Sequence, residues 1–193
     1  MLTLFHTENR QIFIGNILFI ICCGFYLAWW LLAFRPSGAD TGVKTGWLLI
    51  PASLAGLSGI VLIVRCVLTE TFFKQLLPGE YILWGGIAAF IILLVVTALV
   101  FKRPVTTELI LIVGWGMLAL AEINTLFGSE LFSYRMAVGF VVLIGAVVVF
   151  SMICYVLYFQ LNSRAGYIAG MIPLLLTALT MASISCFMVI FSN

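Results

Sequence analysis

The run Ile12–Phe34, IFIGNILFIICCGFYLAWWLLAF, is 23 residues long and carries no charged side chain. A bilayer's hydrocarbon core is about 30 Å thick, and about 20 apolar helical residues at roughly 1.5 Å each span it. The run meets that length, and Asn16 within it suits an interhelical hydrogen bond. Comparable runs recur at residues 46–68, 81–101, 105–127, 131–160 and 166–191. Arg65 lies near the end of the second run, and Glu108 and Glu122 interrupt the fourth. Arg135 stands near the start of the fifth, and the sixth has no charge.

Backbone polar groups in hydrocarbon must be satisfied within the protein, so spanning segments are helices or closed barrels. These near-continuous apolar runs lack the alternation of barrel strands. The sequence therefore predicts an all-α integral membrane protein, a six-transmembrane-helix bundle forming one domain over residues 1–193. Composition agrees. The chain is 64% hydrophobic and 8% charged, with nine Lys and Arg against seven Asp and Glu, whereas soluble domains average about 25% charged. So few charges cannot cover a soluble surface of this size. That excludes a secreted disulfide module, a nucleic-acid binder and an ordinary cytosolic enzyme, and makes membrane lipid the first expected partner.

The connections are short, so successive helices are expected to be antiparallel neighbours. Arg35-Pro36-Ser37-Gly38 and Lys102-Arg103-Pro104 stop helices by adding charge and removing a backbone donor. Leu77-Pro78-Gly79-Glu80 opens the third helix, and Gly128-Ser129 turns the fourth into the fifth. Residues 1–10 lack a basic run followed by a small-residue cleavage site, so the first helix is expected to be retained. Loops after helices one, three and five carry Arg35, Lys44, Lys102, Arg103 and Arg164, against Arg10, Arg65 and Lys74 opposite once Arg135 is set inside the boundary. Basic residues favour the cytoplasmic side. Both termini are accordingly expected outside, with the plasma membrane as the host.

Helices in lipid associate by close backbone approach through small residues. The second helix offers Ala52, Gly56 and Gly59, the third Gly85 and Ala89, and the sixth Ala178 and Ala182. These faces suit packing within one bundle, self-association, or a membrane partner subunit. A pattern is shared by three hairpins. Phe34, Phe101 and Phe159 each close a helix, and Gly46-Trp47, Gly114-Trp115 and Gly166-Tyr167 follow. Related hairpins would explain it, as would the preference of Trp and Tyr for the membrane boundary.

Ionisable groups inside a membrane are costly, which makes each a functional candidate. Glu122 is the foremost, with Asn124 beside it. Arg135 lies at matching depth across the Gly128-Ser129 turn, where the two could pair and fasten the hairpin; the alternative is a polar point lining a substrate or ion path. Glu108 precedes Glu122 by 14 residues with Trp115 midway, so all three fall near one helix face. Glu108 equally suits a first helical turn, where an acid complements the macrodipole. The candidate ligand-contacting set is thus Glu122, Trp115, Asn124, Arg135 and Glu108.

Absences narrow the chemistry. The one histidine, His6, and the one aspartate, Asp40, lie outside the apolar runs, and the five cysteines lack CxxC spacing and read as packing residues. No catalytic residue, metal site or cofactor is expected. An intramembrane enzyme ranks third, since Glu108 and Glu122 lie about 21 Å apart by helical rise. The leading expectation is transport or binding of an apolar or weakly polar small molecule. A non-catalytic subunit or scaffold is the alternative. Aromatics at Phe25, Tyr26, Trp29, Trp30, Tyr155, Tyr158 and Phe159 suit interface belts or an aromatic-lined pocket.

Overall fold

A computed structural model describes residues 7–34, 45–69, 75–100 and 107–191. These form α1 (Thr7–Ala33), a short 3₁₀ turn (Thr45–Leu48) running into α2 (Leu49–Thr69), α3 (Gly79–Val100), α4 (Thr107–Gly128), α5 (Tyr134–Gln160) and α6 (Ser163–Phe191). Six helices are long and apolar enough to cross a membrane, and no strand occurs among the described residues. The protein is all-α and of integral membrane type. The stop signals at Arg35–Gly38 and Lys102–Pro104 lie outside the described residues.

Helix ends differ from the apolar boundaries where local hydrogen bonds decide them. α6 starts three residues before the expected Gly166 because Asn162 caps it. The Asn162 side-chain oxygen accepts the Ala165 amide at 3.1 Å, and its carbonyl accepts the Gly166 amide at 2.8 Å. α5 starts at Tyr134 rather than near Leu131, because the preceding residues are spent on turning the chain. Glu130 takes a left-handed conformation with φ of 61°. Its amide donates to the Phe127 carbonyl at 3.1 Å, and the Phe132 amide reaches back to Leu126 at 3.1 Å. Carbonyls at the end of α4 are thereby satisfied. Pro51 stands in the first turn of α2, where a missing N–H costs little, and Pro173 lies inside α6.

The chain divides into two compact units, one of Met1–Cys66 with Ile153–Asn193 and one of Val67–Met152. The boundaries fall in the last turn of α2 and within α5. In the first unit, α1 packs antiparallel against both α2 and α6. A Cβ on Gly59 would lie 2.9 Å from the Gly15 carbonyl oxygen, and one on Gly15 would lie 3.2 Å from the Gly59 carbonyl oxygen. The two backbones therefore touch, and Gly56 accommodates Cys22 a turn or two along. On the α6 side, Trp30 Nε1 donates to the Tyr167 carbonyl at 3.2 Å, and Tyr167 Oη donates to the Leu31 carbonyl at 3.2 Å. The small-residue face expected on α2 is thus a packing face within the unit, completed by Gly15 of α1.

In the second unit, α4 is the shared helix, flanked by α3 and α5. Gly86 of α3 makes room for Met117, whereas the space around Gly85 is open. Contact therefore falls one residue beyond the expected Gly85 position. Gly116 receives Val148 of α5, and Phe127 meets Tyr134 with ring centroids 6.3 Å apart. α5 buries Ala137, Phe140, Ile144 and Val147, a three- and four-residue stripe containing no charge.

Candidate functional site

α4 carries most of the expected site. Its buried residues include Trp115, Ala119, Glu122, Ile123, Thr125 and Leu126, so its polar side chains are enclosed together with its apolar ones. α4 encloses a larger share of its membrane-spanning stretch than any other span, 50% against 6% for α3.

Glu122 has 0% exposure and Trp115 has 7%. They lie seven residues apart, about two turns and roughly 10.5 Å along the axis, on one face. Ala119, the residue between them on that face, is also fully buried. The indole Nε1 of Trp115 is buried with no hydrogen-bond partner among the described residues. The face therefore combines a carboxyl group, a methyl-sized side chain and an aromatic ring whose N–H can only donate.

Asn124 does something different. Its side-chain oxygen accepts the backbone amides of Leu76 and Leu77 at 2.8 and 3.1 Å. It holds the turn that leads into α3, whose first hydrogen bond runs from the Tyr81 amide to the Pro78 carbonyl at 2.9 Å. Thr125 satisfies its hydroxyl within α4, donating to the Ala121 carbonyl at 3.0 Å.

The expected Glu122–Arg135 pair is not formed. Arg135 is exposed in the first turn of α5, while Glu122 is wholly enclosed. Residues 131–133 are spent on the turn, which leaves Arg135 at the entrance of α5, and α5 turns its uncharged stripe inward. Glu108 lies in the first turn of α4, and its side chain is outside those described.

Further buried polar groups occupy the first unit, among them Asn16 on α1 and Thr180 and Ser185 on α6. Thr180 Oγ1 donates to the Leu176 carbonyl at 2.8 Å, whereas Ser185 Oγ has no hydrogen-bond partner among the described residues. Sequence reading singled out Asn16 but passed over Ser185, because serine in a membrane helix normally bonds its own backbone. Ser183 does so, to the Leu179 carbonyl at 2.8 Å. The aromatic clusters of α1 and α5 meet in this unit, with Trp30 and Tyr158 centroids 5.5 Å apart and Trp30 and Phe34 4.5 Å apart. Among the cysteines, Cys23, Cys66 and Cys154 are buried as expected of packing residues, while Cys186 is exposed.

In comparisons with protein-family models, curated proteins and solved structures, nothing matches this chain. The roles of these residues accordingly rest on their own chemistry and placement.

Proposed function

We propose that the chain is a small membrane protein that binds or transports an apolar or weakly polar small molecule, with Glu122 and Trp115 of α4 as its principal contacts. The observation that carries this reading is the complete burial of Glu122 in a helix of membrane-spanning length. An ionisable residue within a membrane helix is costly, so such residues mark ligand and ion paths. Asn124 serves the fold of the α3 turn, and Arg135 serves as a boundary anchor.

Replacing Glu122 with Gln keeps size and hydrogen-bonding capacity and removes the ionisable carboxyl group. The expected result is a loss of at least about tenfold in binding or uptake of the small molecule retained by the purified wild type, with thermal stability in detergent nearly unchanged. Intact binding and uptake would remove Glu122 from the mechanism. Lost stability with intact binding would assign it to the scaffold.

A non-catalytic partner-holding subunit is the second reading, favoured by α3. Its described residues bury only Gly86, while Trp84, Ile91, Ile92 and Leu99 stand exposed. A strictly monomeric species with no co-purifying chain at low detergent would count against it. For placement, we favour the plasma membrane with both termini outside, on the excess of basic residues after α1, α3 and α5. Labelling of single cysteines at Asn162 and near the amino terminus with an impermeant reagent on intact cells tests the orientation: the terminal site should react and Asn162→Cys should not.

A further inference from the structure

The Trp115 indole N–H can donate a hydrogen bond and cannot accept one. Buried tryptophans usually satisfy that donor, as Trp30 does on the Tyr167 carbonyl at 3.2 Å. Trp115 finds no acceptor among the described residues, although its Nε1 is buried and the residue is only 7% exposed. A phenylalanine would fill much of the same space without leaving a polar atom unpaired. The neighbouring polar side chains of α4 have settled partners in the protein backbone, Thr125 on Ala121 and Asn124 on the amides of Leu76 and Leu77. The unmet donor therefore sits on the same face as the enclosed Glu122, with only the small Ala119 between them.

We infer that the ligand has a hydrogen-bond-accepting oxygen, a carbonyl or ether on an otherwise apolar body, that takes the Trp115 N–H. This rests on the α4 reading proposed above and specifies the ligand class for that site. A pure hydrocarbon would leave the N–H unpaired, and a group that can only donate would oppose it. The acceptor oxygen turns the unmet indole donor into a specificity determinant.

The full chain in lipid nanodiscs, with tryptophans ¹⁵N-labelled at the indole nitrogen, provides the test. Trp115→Phe assigns the resonance by deletion. The probes are 2-methyl-1,4-naphthoquinone and 2-methylnaphthalene, which share a ring system and differ in the two carbonyl oxygens. The quinone is expected to shift the Trp115 indole resonance and to bind about tenfold more tightly than the hydrocarbon, with that preference lost in Trp115→Phe. A Trp115 N–H that exchanges with water and does not respond to either probe overturns the inference, because water is then its acceptor. A preference for the quinone that survives in Trp115→Phe overturns it too. Equal binding of both probes, weakened by Glu122→Gln, overturns the acceptor oxygen while leaving the α4 site standing. Equal binding that Glu122→Gln leaves unchanged overturns both.

Discussion

The side-chain oxygen of Asn124 accepts the Leu76 amide at 2.8 Å and the Leu77 amide at 3.1 Å, tying the last turns of α4 to the chain entering α3. Pro78 follows at once and has no amide to offer. The turn thus depends on one side chain for two of its donors. Asn124→Ala strands both partly buried amides, and an unmade donor costs up to about 1–3 kcal/mol when it is fully enclosed. The expected result is a clear fall in thermal stability in detergent, with the Trp115 resonance and its response to ligand unchanged in the molecules that remain folded. Asn124→Asp keeps the acceptor oxygens and should recover most of the loss. An alanine variant as stable as wild type would mean that the turn holds without the side chain.

The contact between Gly15 and Gly59 predicts a contrast between glycines. A Cβ on Gly59 meets the Gly15 carbonyl oxygen at 2.9 Å, while a Cβ on Gly24 meets nothing within 4 Å. Forcing an added methyl group into a packed contact typically costs about 1–3 kcal/mol, and here the obstacle is backbone, which cannot swing aside. Gly59→Ala should therefore destabilise by that amount. Gly24→Ala should be neutral or stabilising by up to about 1 kcal/mol, since alanine is the better helix former. Chemical or thermal unfolding of the two variants side by side checks this, and equal effects would contradict the close crossing.

Six helices were legible in the sequence because length and hydropathy act over some twenty residues and tolerate local exceptions. The small-residue face of α2 was legible for the same reason that it packs, which is the absence of side-chain bulk. Its partner was not, since Gly15 and Gly24 lie nine positions apart in a run that shows no small-residue stripe. Glu122 and Trp115 stood out because charge and indole are rare at their depth. The pairing of Glu122 with Arg135 was inferred from register alone, and register does not say which side of α5 turns inward. Asn124 reads alike whether it touches a ligand or a backbone amide. That difference depends on residues 76 and 77, nearly fifty positions away, which no local pattern connects to it.

Trp30 lies over Gly170, where an added Cβ would collide with the Cζ2 edge of the indole. Phenylalanine lacks that edge. Gly170→Ala alone should therefore lower stability, and Trp30→Phe should relieve much of that effect while itself losing the hydrogen bond to the Tyr167 carbonyl. Contacting residues commonly show coupling of about 0.5–3 kcal/mol. A double-mutant cycle on thermal unfolding is expected to give a coupling within that range, with the double variant more stable than the two single losses add up to. Additive losses would place the collision elsewhere.

Glu130 adopts φ of 61° in the α4–α5 turn, a conformation that costs most non-glycine residues roughly 1–2 kcal/mol. Its amide is already committed to the Phe127 carbonyl at 3.1 Å, so the turn holds the residue in that conformation. Comparing Glu130→Gly with wild type would mix relief of the backbone with loss of whatever the carboxylate contributes. Glu130→Gly against Glu130→Ala separates them, because both remove the carboxylate and only one tolerates positive φ without cost. Glycine loses more chain entropy on folding, about 0.5–1 kcal/mol relative to alanine, which offsets part of the gain. The glycine variant should still be the more stable of the two, by up to about 1 kcal/mol, read as a higher midpoint in denaturant or heat. An alanine variant as stable as the glycine one would show that the turn relaxes out of the left-handed conformation, and the Phe132–Leu126 hydrogen bond would be expected to break with it.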